Sequence, residues 1–109
     1  MATSPGYIAY VLEQLEALGP VTSKRMFGGF GLYHHGLFFA LVSSQDELYL
    51  KVDDQNRPMF EARGCKLFQP MPDRPPLSYM TVPEEVIEDP RDLADWARSA
   101  VEAQARKKG

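Results

Sequence analysis

Cysteine is nearly absent: Cys65 stands alone in 109 residues, which excludes an internal disulfide and any cysteine-based zinc site and fits a reducing compartment. With His34 and His35 the only histidines, Cys65 has little prospect of a catalytic base and is expected to be an inert, at least half-buried thiol. Long apolar runs are also missing. The longest, Leu37 to Val42, is far short of the roughly 20 residues a helix needs to cross a bilayer. Met1 to Gly6 lacks the basic start and apolar stretch of a cleaved leader, so a cytoplasmic protein with no membrane partner is expected. An excess of positive charge is lacking too. The net charge of −3 argues against a surface built mainly for nucleic acid.

Hydrophobic residues at 44% and charged residues at 25% are those of a globular chain, and the length predicts one domain over residues 1–109. Ser4 and Pro5 suit the start of a helix, whose apolar face runs Ile8, Val11, Leu12, Leu15 and Leu18 until Gly19-Pro20 stops it. That face needs a flat apolar partner, a sheet being the simplest. From Thr22 to Val52 short aromatic and branched runs are broken by turn residues, which predicts three antiparallel strands joined by hairpins. Leu37 to Val42 is apolar on both faces and reads as the central one. Leu48, Leu50 and Val52 alternate with Tyr49 and Lys51, as in a strand with one buried and one wetter face. Met59 to Gly64 reads as a short helix ended by glycine, starting late because Pro58 is comfortable only in a first turn.

Lys66 to Phe68 is a weak strand candidate. Pro70, Pro72, Pro75 and Pro76 then mark a loop unsuited to the interior of a hairpin. Ser78 to Val82 is a stronger strand, Pro83 to Ile87 allows a helical turn, and Asp89-Pro90 begins the last helix with Leu93, Trp96, Ala97, Ala100, Val101 and Gln104 inward. The expected order is helix, three strands, short helix, two strands, helix. It predicts an α+β fold on an antiparallel five-stranded sheet.

The densest local signal is Lys24-Arg25-Met26-Phe27-Gly28-Gly29-Phe30-Gly31-Leu32-Tyr33. No lysine-hydroxyl pair follows its last glycine, and from Gly29 the spacing runs to Gly31 and then to His34 instead of a third glycine. Neither a nucleotide loop nor a dinucleotide fingerprint is present. The glycines are therefore read as structural: Gly28 and Gly29 kink or bulge the first strand, and Gly31 admits a neighbouring backbone or ring. His34 and His35 are expected at an exposed hairpin tip with Gly36 at positive φ, in preference to a metal site. From Glu84 to Asp95 the chain is strongly acidic, whereas its last residues are basic, in the order that favours a helix macrodipole. Nothing completes an acid-base pair or cation site around Glu84, Glu85, Glu88 and Asp89.

Taken together, Arg25 to Tyr33, Phe39 to Val42, Leu48 to Asp53, the Phe60 to Gly64 helix end, and Ser78-Tyr79 with Val82-Pro83-Glu84 resemble the N-terminal domain of the TfoX/Sxy family. Within this family motif Arg25, Met26, Phe27, Gly28, Gly29, Gly31 and Tyr33 are the structural positions. The resemblance covers nearly the whole chain. It implies an αβββαββα order similar to secretion-chaperone-like domains, no catalytic residues and no cofactor. Better-known members are regulators of natural transformation thought to act with the cyclic-AMP receptor protein at competence promoters. They continue into a helical C-terminal domain, whereas here Arg106-Lys107-Lys108-Gly109 follows the final helix and no second domain is expected.

The function these readings predict is a non-enzymatic protein-interaction domain with a regulatory role linked to transcription or competence. Its contact surface is expected on a sheet face or edge and at the acidic start of the last helix: Glu84, Glu85, Glu88 and Asp92, with Lys24 and Arg25 elsewhere. Transcription machinery is a candidate partner, and a homodimer through sheet edges is a further expectation. The alternative is direct nucleic-acid binding through Lys24, Arg25, the nearby aromatics and the basic tail.

Overall fold

The computed structural model describes residues 5–26 and 28–108; the expected Ser4 cap and Phe27 lie outside them. Helix α1 (Pro5–Gln14) runs into a 3₁₀ turn, Glu16–Leu18, and Gly19 at φ 117° ends it. There follow β1 (Thr22–Met26), β2 (Gly29–His34), β3 (Leu37–Val42), β4 (Leu48–Lys51), α2 (Arg57–Glu61), β5 (Leu67–Phe68), β6 (Leu77–Thr81), α3 (Glu84–Ile87) and α4 (Pro90–Lys108). All neighbouring strands are antiparallel, in the spatial order β1-β2-β3-β4-β6-β5.

The sheet thus has six strands where five were expected, and the element order departs from αβββαββα in its second strand and its extra short helix. The extra strand comes from the glycine pair. Gly28 takes φ 78°, a left-handed conformation that suits a reversal of the chain, so the run turns back on itself instead of bulging within one strand. Met26 pairs with Gly29 and Thr22 with Tyr33. The real irregularity lies further on, where Leu32 pairs with Ala40 and Tyr33 with Phe38, leaving Phe39 as the extra residue. That bulge resets the alternation, and Phe39 and Ala40 are both fully buried.

The proline-rich loop corrects a second expectation. It connects β5 to its antiparallel neighbour β6, so it does close a hairpin. Its prolines fall at residues 70–76, outside the paired strands, where a missing N–H removes no ladder bond.

Helix α4 lies on β3 and β4, while α1 and its 3₁₀ turn pack chiefly against α4 instead of directly on the sheet. Alanines 97, 100 and 103 on its inner face let the helix approach closely. Trp96 meets the Phe60 ring edge-on, with centroids 4.7 Å apart. The cap expected at Asp89 is present: its Oδ1 accepts hydrogen bonds from the N–H groups of Arg91 (3.0 Å) and Asp92 (3.4 Å). Helix α2 begins after the Asp53-Asp54 pair, at Arg57, with Asn56 before it and Pro58 in its first turn, so it starts two residues earlier than the expected Met59 and ends at Glu61, before Gly64. The principal core joins Ile8, Val11 and Leu15 of the N-terminal helical segment to Leu32, Phe39, Val42, Leu48, Leu50 and Met80 of the sheet and Leu93 and Trp96 of α4. Full burial of each large side chain is worth about 1.5–3 kcal/mol.

Candidate functional site

The opposite face of the sheet carries a second cluster made by strand residues alone: Leu41, Tyr49 and Tyr79, with Phe38 and Phe68 packed beside them. Antiparallel register brings them together, since Leu41 sits opposite Tyr49 and Tyr79 opposite Lys51. Tyr33 stacks on Phe38 at 5.2 Å, Phe38 meets Tyr79 at 5.4 Å, and Tyr49 meets Phe68 at 4.6 Å, separations at which aromatic rings attract. Tyr79 Oη donates to the Phe38 carbonyl and Tyr49 Oη to Glu47, each at 3.3 Å. Burial pushes both phenols up to about 12, with the Glu47 charge adding to the effect at Tyr49.

The expected wet side of β4 is therefore buried: Tyr49 is 8% exposed and Lys51 6%. The cause is tertiary. The sheet has aromatic neighbours on β3, β5 and β6 that no local alternation reveals.

Between this cluster and the proline-rich loop runs a groove of about 710 Å³, whose apolar lining includes Met26, Leu41, Tyr49, Phe68, Met71 and Leu77, with Arg74 and Glu47 also at its wall. Met71 and Leu77 are 53% and 46% exposed, so two large apolar side chains stand open at its mouth. Sequence reasoning named none of these as site residues except Met26. The alternation of Tyr49 with Lys51 and the apolar Leu77 after a proline run were the available signals.

The glycine motif borders the groove. A Cβ at Gly31 would lie 2.5 Å from Met26 Cε and 3.0 Å from Phe38 Cε1, so this glycine admits both side chains, as expected. At Gly29 the obstacle is the Val42 carbonyl oxygen, which a side chain cannot displace without moving β3. Arg25, on the other side of β1, extends its guanidinium over Phe30 at 5.6 Å. His35 and Gly36, at φ 50° and 80°, form the expected exposed hairpin tip, and His34 Nδ1 is 2.7 Å from the Pro20 carbonyl. Among the described residues no group of three or more His, Cys, Asp or Glu is arranged to hold a metal ion. Cys65 is half-buried, and burial raises its thiol pKa.

The charged candidates are dispersed. Glu84, Glu85, Glu88 and Asp92 are all exposed, on or next to α3 and in the first turn of α4. Glu85 pairs with Arg63 at 2.6 Å; its own N–H and that guanidinium hold its carboxyl below the usual range. None of these acids lines the groove. Lys24 and Arg25 are exposed on the edge strand β1, with β2 and β3 between them and β4. The expected basic tail is the last turn of α4 and not a segment after it; there Arg106 is held by Asp53 just after β4, through bonds of 2.7 and 2.9 Å, so this turn and the edge strand do not form one basic surface.

A model of the TfoX N-terminal domain matches residues 13–104. The chain belongs to the TfoX N-terminal domain family. The matched span of this TfoX N-terminal domain takes in all six strands, the glycine motif and the whole groove, and stops short of Arg106 and Lys107. No curated protein matches the chain. Among the described residues no helix is long and apolar enough to cross a membrane.

Proposed function

We propose that this TfoX N-terminal domain is a non-enzymatic, cytoplasmic protein-interaction module with a regulatory role in transcription linked to natural competence, and that it holds its partner in the groove on the helix-free face of the sheet. The observation that carries the reading is the groove itself, with Met71 and Leu77 open at its mouth. Exposed apolar surface of this kind is what protein partners cover, and methionine adapts its shape to what it meets. Charge selects the occupant. Lys24 lies opposite Gly31, on the same side of β1 as Met26, and Arg74 stands at the groove, two cations against the one acid of its wall, Glu47, which already accepts the Tyr49 hydroxyl. An extended partner segment bearing apolar anchors flanked by acidic residues matches that rim. A second copy joined edge to edge through β1 would set Lys24 and Arg25 near their own equivalents, which disfavours self-pairing there.

The test is affinity capture with and without nuclease, using the native chain, a Met71→Glu/Leu77→Glu variant and a Glu84→Lys/Glu85→Lys/Glu88→Lys variant, followed by cross-linking to locate the bound segment. A nuclease-resistant protein lost only from the groove variant, cross-linked through an apolar-acidic segment, is the expected result. Loss only from the acid-reversal variant moves the contact to α3 and the start of α4. Nuclease-sensitive capture replaces the reading with nucleic-acid binding.

A further inference from the structure

Away from the groove, β4 ends at a lysine whose stem the fold buries without giving its ammonium a direct ion pair. Lys51 is 6% exposed, and among the described residues neither a hydrogen bond nor an ion pair reaches its Nζ, which lies 5.4 Å from the centre of the Tyr79 ring. The carboxylate nearest in sequence is already committed. Asp53 receives the Arg106 guanidinium on both oxygens, and its Oδ1 also accepts the N–H groups of Gln55 at 2.9 Å and Asn56 at 3.3 Å. The stem is packed away while the ammonium reaches the surface of an open hollow, a partly dehydrated cation with no bonded anion.

Lys51 lines a hollow of about 410 Å³, together with Asp53, Asp54, Ser78, Arg106 and Lys107. Three cationic side chains face two carboxylates, one of which is neutralised by Arg106. Ser78 supplies a hydroxyl, and the hollow is open to solvent. We propose that this hollow is an oxyanion site that takes the phosphate group of a small molecule, with Lys51 as the inner cation and Lys107 and Ser78 as its outer contacts. Desolvation, followed by repulsion from Lys107, lowers the Lys51 pKa against the attraction of Asp53, and the charge of a bound dianion would outweigh the two lowering effects. Phosphate suits such a site because several donors can share its oxygens. Asp54 on the rim disfavours a long polyanion lying across the opening.

The experiment follows Lys51 Nζ and the Ser78 and Lys107 amides by NMR during titration with inorganic phosphate, with sodium chloride and acetate at matched ionic strength as controls. The expected result is saturable shifts with phosphate alone, an upward move of the Lys51 pKa, and affinity weaker by about tenfold or more in both Lys51→Met and Lys107→Glu. Lys51→Met, which keeps the buried stem and exchanges an ammonium with no direct ion pair for a thioether, should melt no lower than the parent. Lys107→Glu changes an exposed residue and keeps the test open if Lys51→Met folds poorly. Equal shifts with chloride, or phosphate affinity unchanged in Lys107→Glu, overturn the proposal. So does a clear loss of stability in a folded Lys51→Met chain, which would mean that the amine is satisfied within the fold. Binding of a single-stranded oligonucleotide that requires Lys51, without binding of phosphate, assigns the site to nucleic acid instead.

Discussion

At the scale of single residues, two glycines two positions apart are constrained by different neighbours, and the difference is measurable. A methyl group at Gly29 runs into the Val42 carbonyl oxygen, whereas one at Gly31 meets the end of the Met26 side chain and a ring edge of Phe38. Backbone in the middle of a sheet cannot yield, but a methionine terminus can. Gly29→Ala should lower stability by about 1–3 kcal/mol and Gly29→Val by more, while Gly31→Ala should cost under about 1 kcal/mol. Denaturant melts of the three variants check this, and equal losses at both glycines would refute the contact argument. Asp53 offers a second test at this scale. Its Arg106 partner and two backbone N–H groups lower its pKa from 3.8 to about 2. A lowered carboxyl pKa stabilises the fold above the unfolded value and loses that contribution as pH falls through the folded one. Arg106→Gln should therefore be less stable than the parent at neutral pH, with the gap narrowing below about pH 4 and nearly gone at pH 2. A constant gap across that range would show that the pair acts through packing and not through charge.

At the scale of elements, most of the fold is legible in local chemistry, and the misreadings share one cause. The start of α4 follows from Asp89-Pro90, the first turn of α2 from Pro58, and the β2-β3 turn from His35-Gly36, because each depends on the residue's own backbone preference. The Gly28-Gly29 pair is ambiguous at that level, since both a bulge and a reversal accept positive φ, and only the pairing of Met26 with Gly29 decides between them. The proline-rich loop deceives in the same way: prolines bar pairing where they stand, but not in the strands on either side. The His35-Gly36 turn can be tested directly. Both residues have positive φ, as a two-residue type I′ hairpin requires. Gly36→Ala should cost about 1–2 kcal/mol, and His35→Asn should be neutral or slightly stabilising, since asparagine tolerates that conformation better. Thermal melts in which Gly36→Ala matches the parent would mean that the turn is free to change type.

At the scale of the whole molecule, the candidate site was the least legible part, because it is a product of strand order. Tyr49, Phe68 and Tyr79 come from three strands spread over about thirty residues, and nothing local announces that β6 lies between β4 and β5. The family motif marks the sheet's first hairpin, which supplies one wall of the groove through Met26, but the other wall is assembled only when the sheet is complete. The same layout grades stability across the sheet. β3 and β4 have neighbours on both edges, α4 on one face and the aromatic cluster on the other. β1 is bonded along one edge only and is exposed from Thr22 to Arg25. Opening β1 exposes little apolar surface, whereas opening β3 or β4 breaches both clusters at once. In native-state hydrogen exchange the amides of Phe39 to Val42 and Leu48 to Lys51 should therefore exchange only through global unfolding, while those of β1 bonded to β2 should exchange through local opening, faster by about 100-fold or more. Denaturant should then accelerate exchange strongly in β3 and β4 and hardly at all in β1. If β1 instead shares the protection and denaturant sensitivity of β3, the first hairpin belongs to the global folding unit, and the groove's Met26 wall is as rigid as its floor.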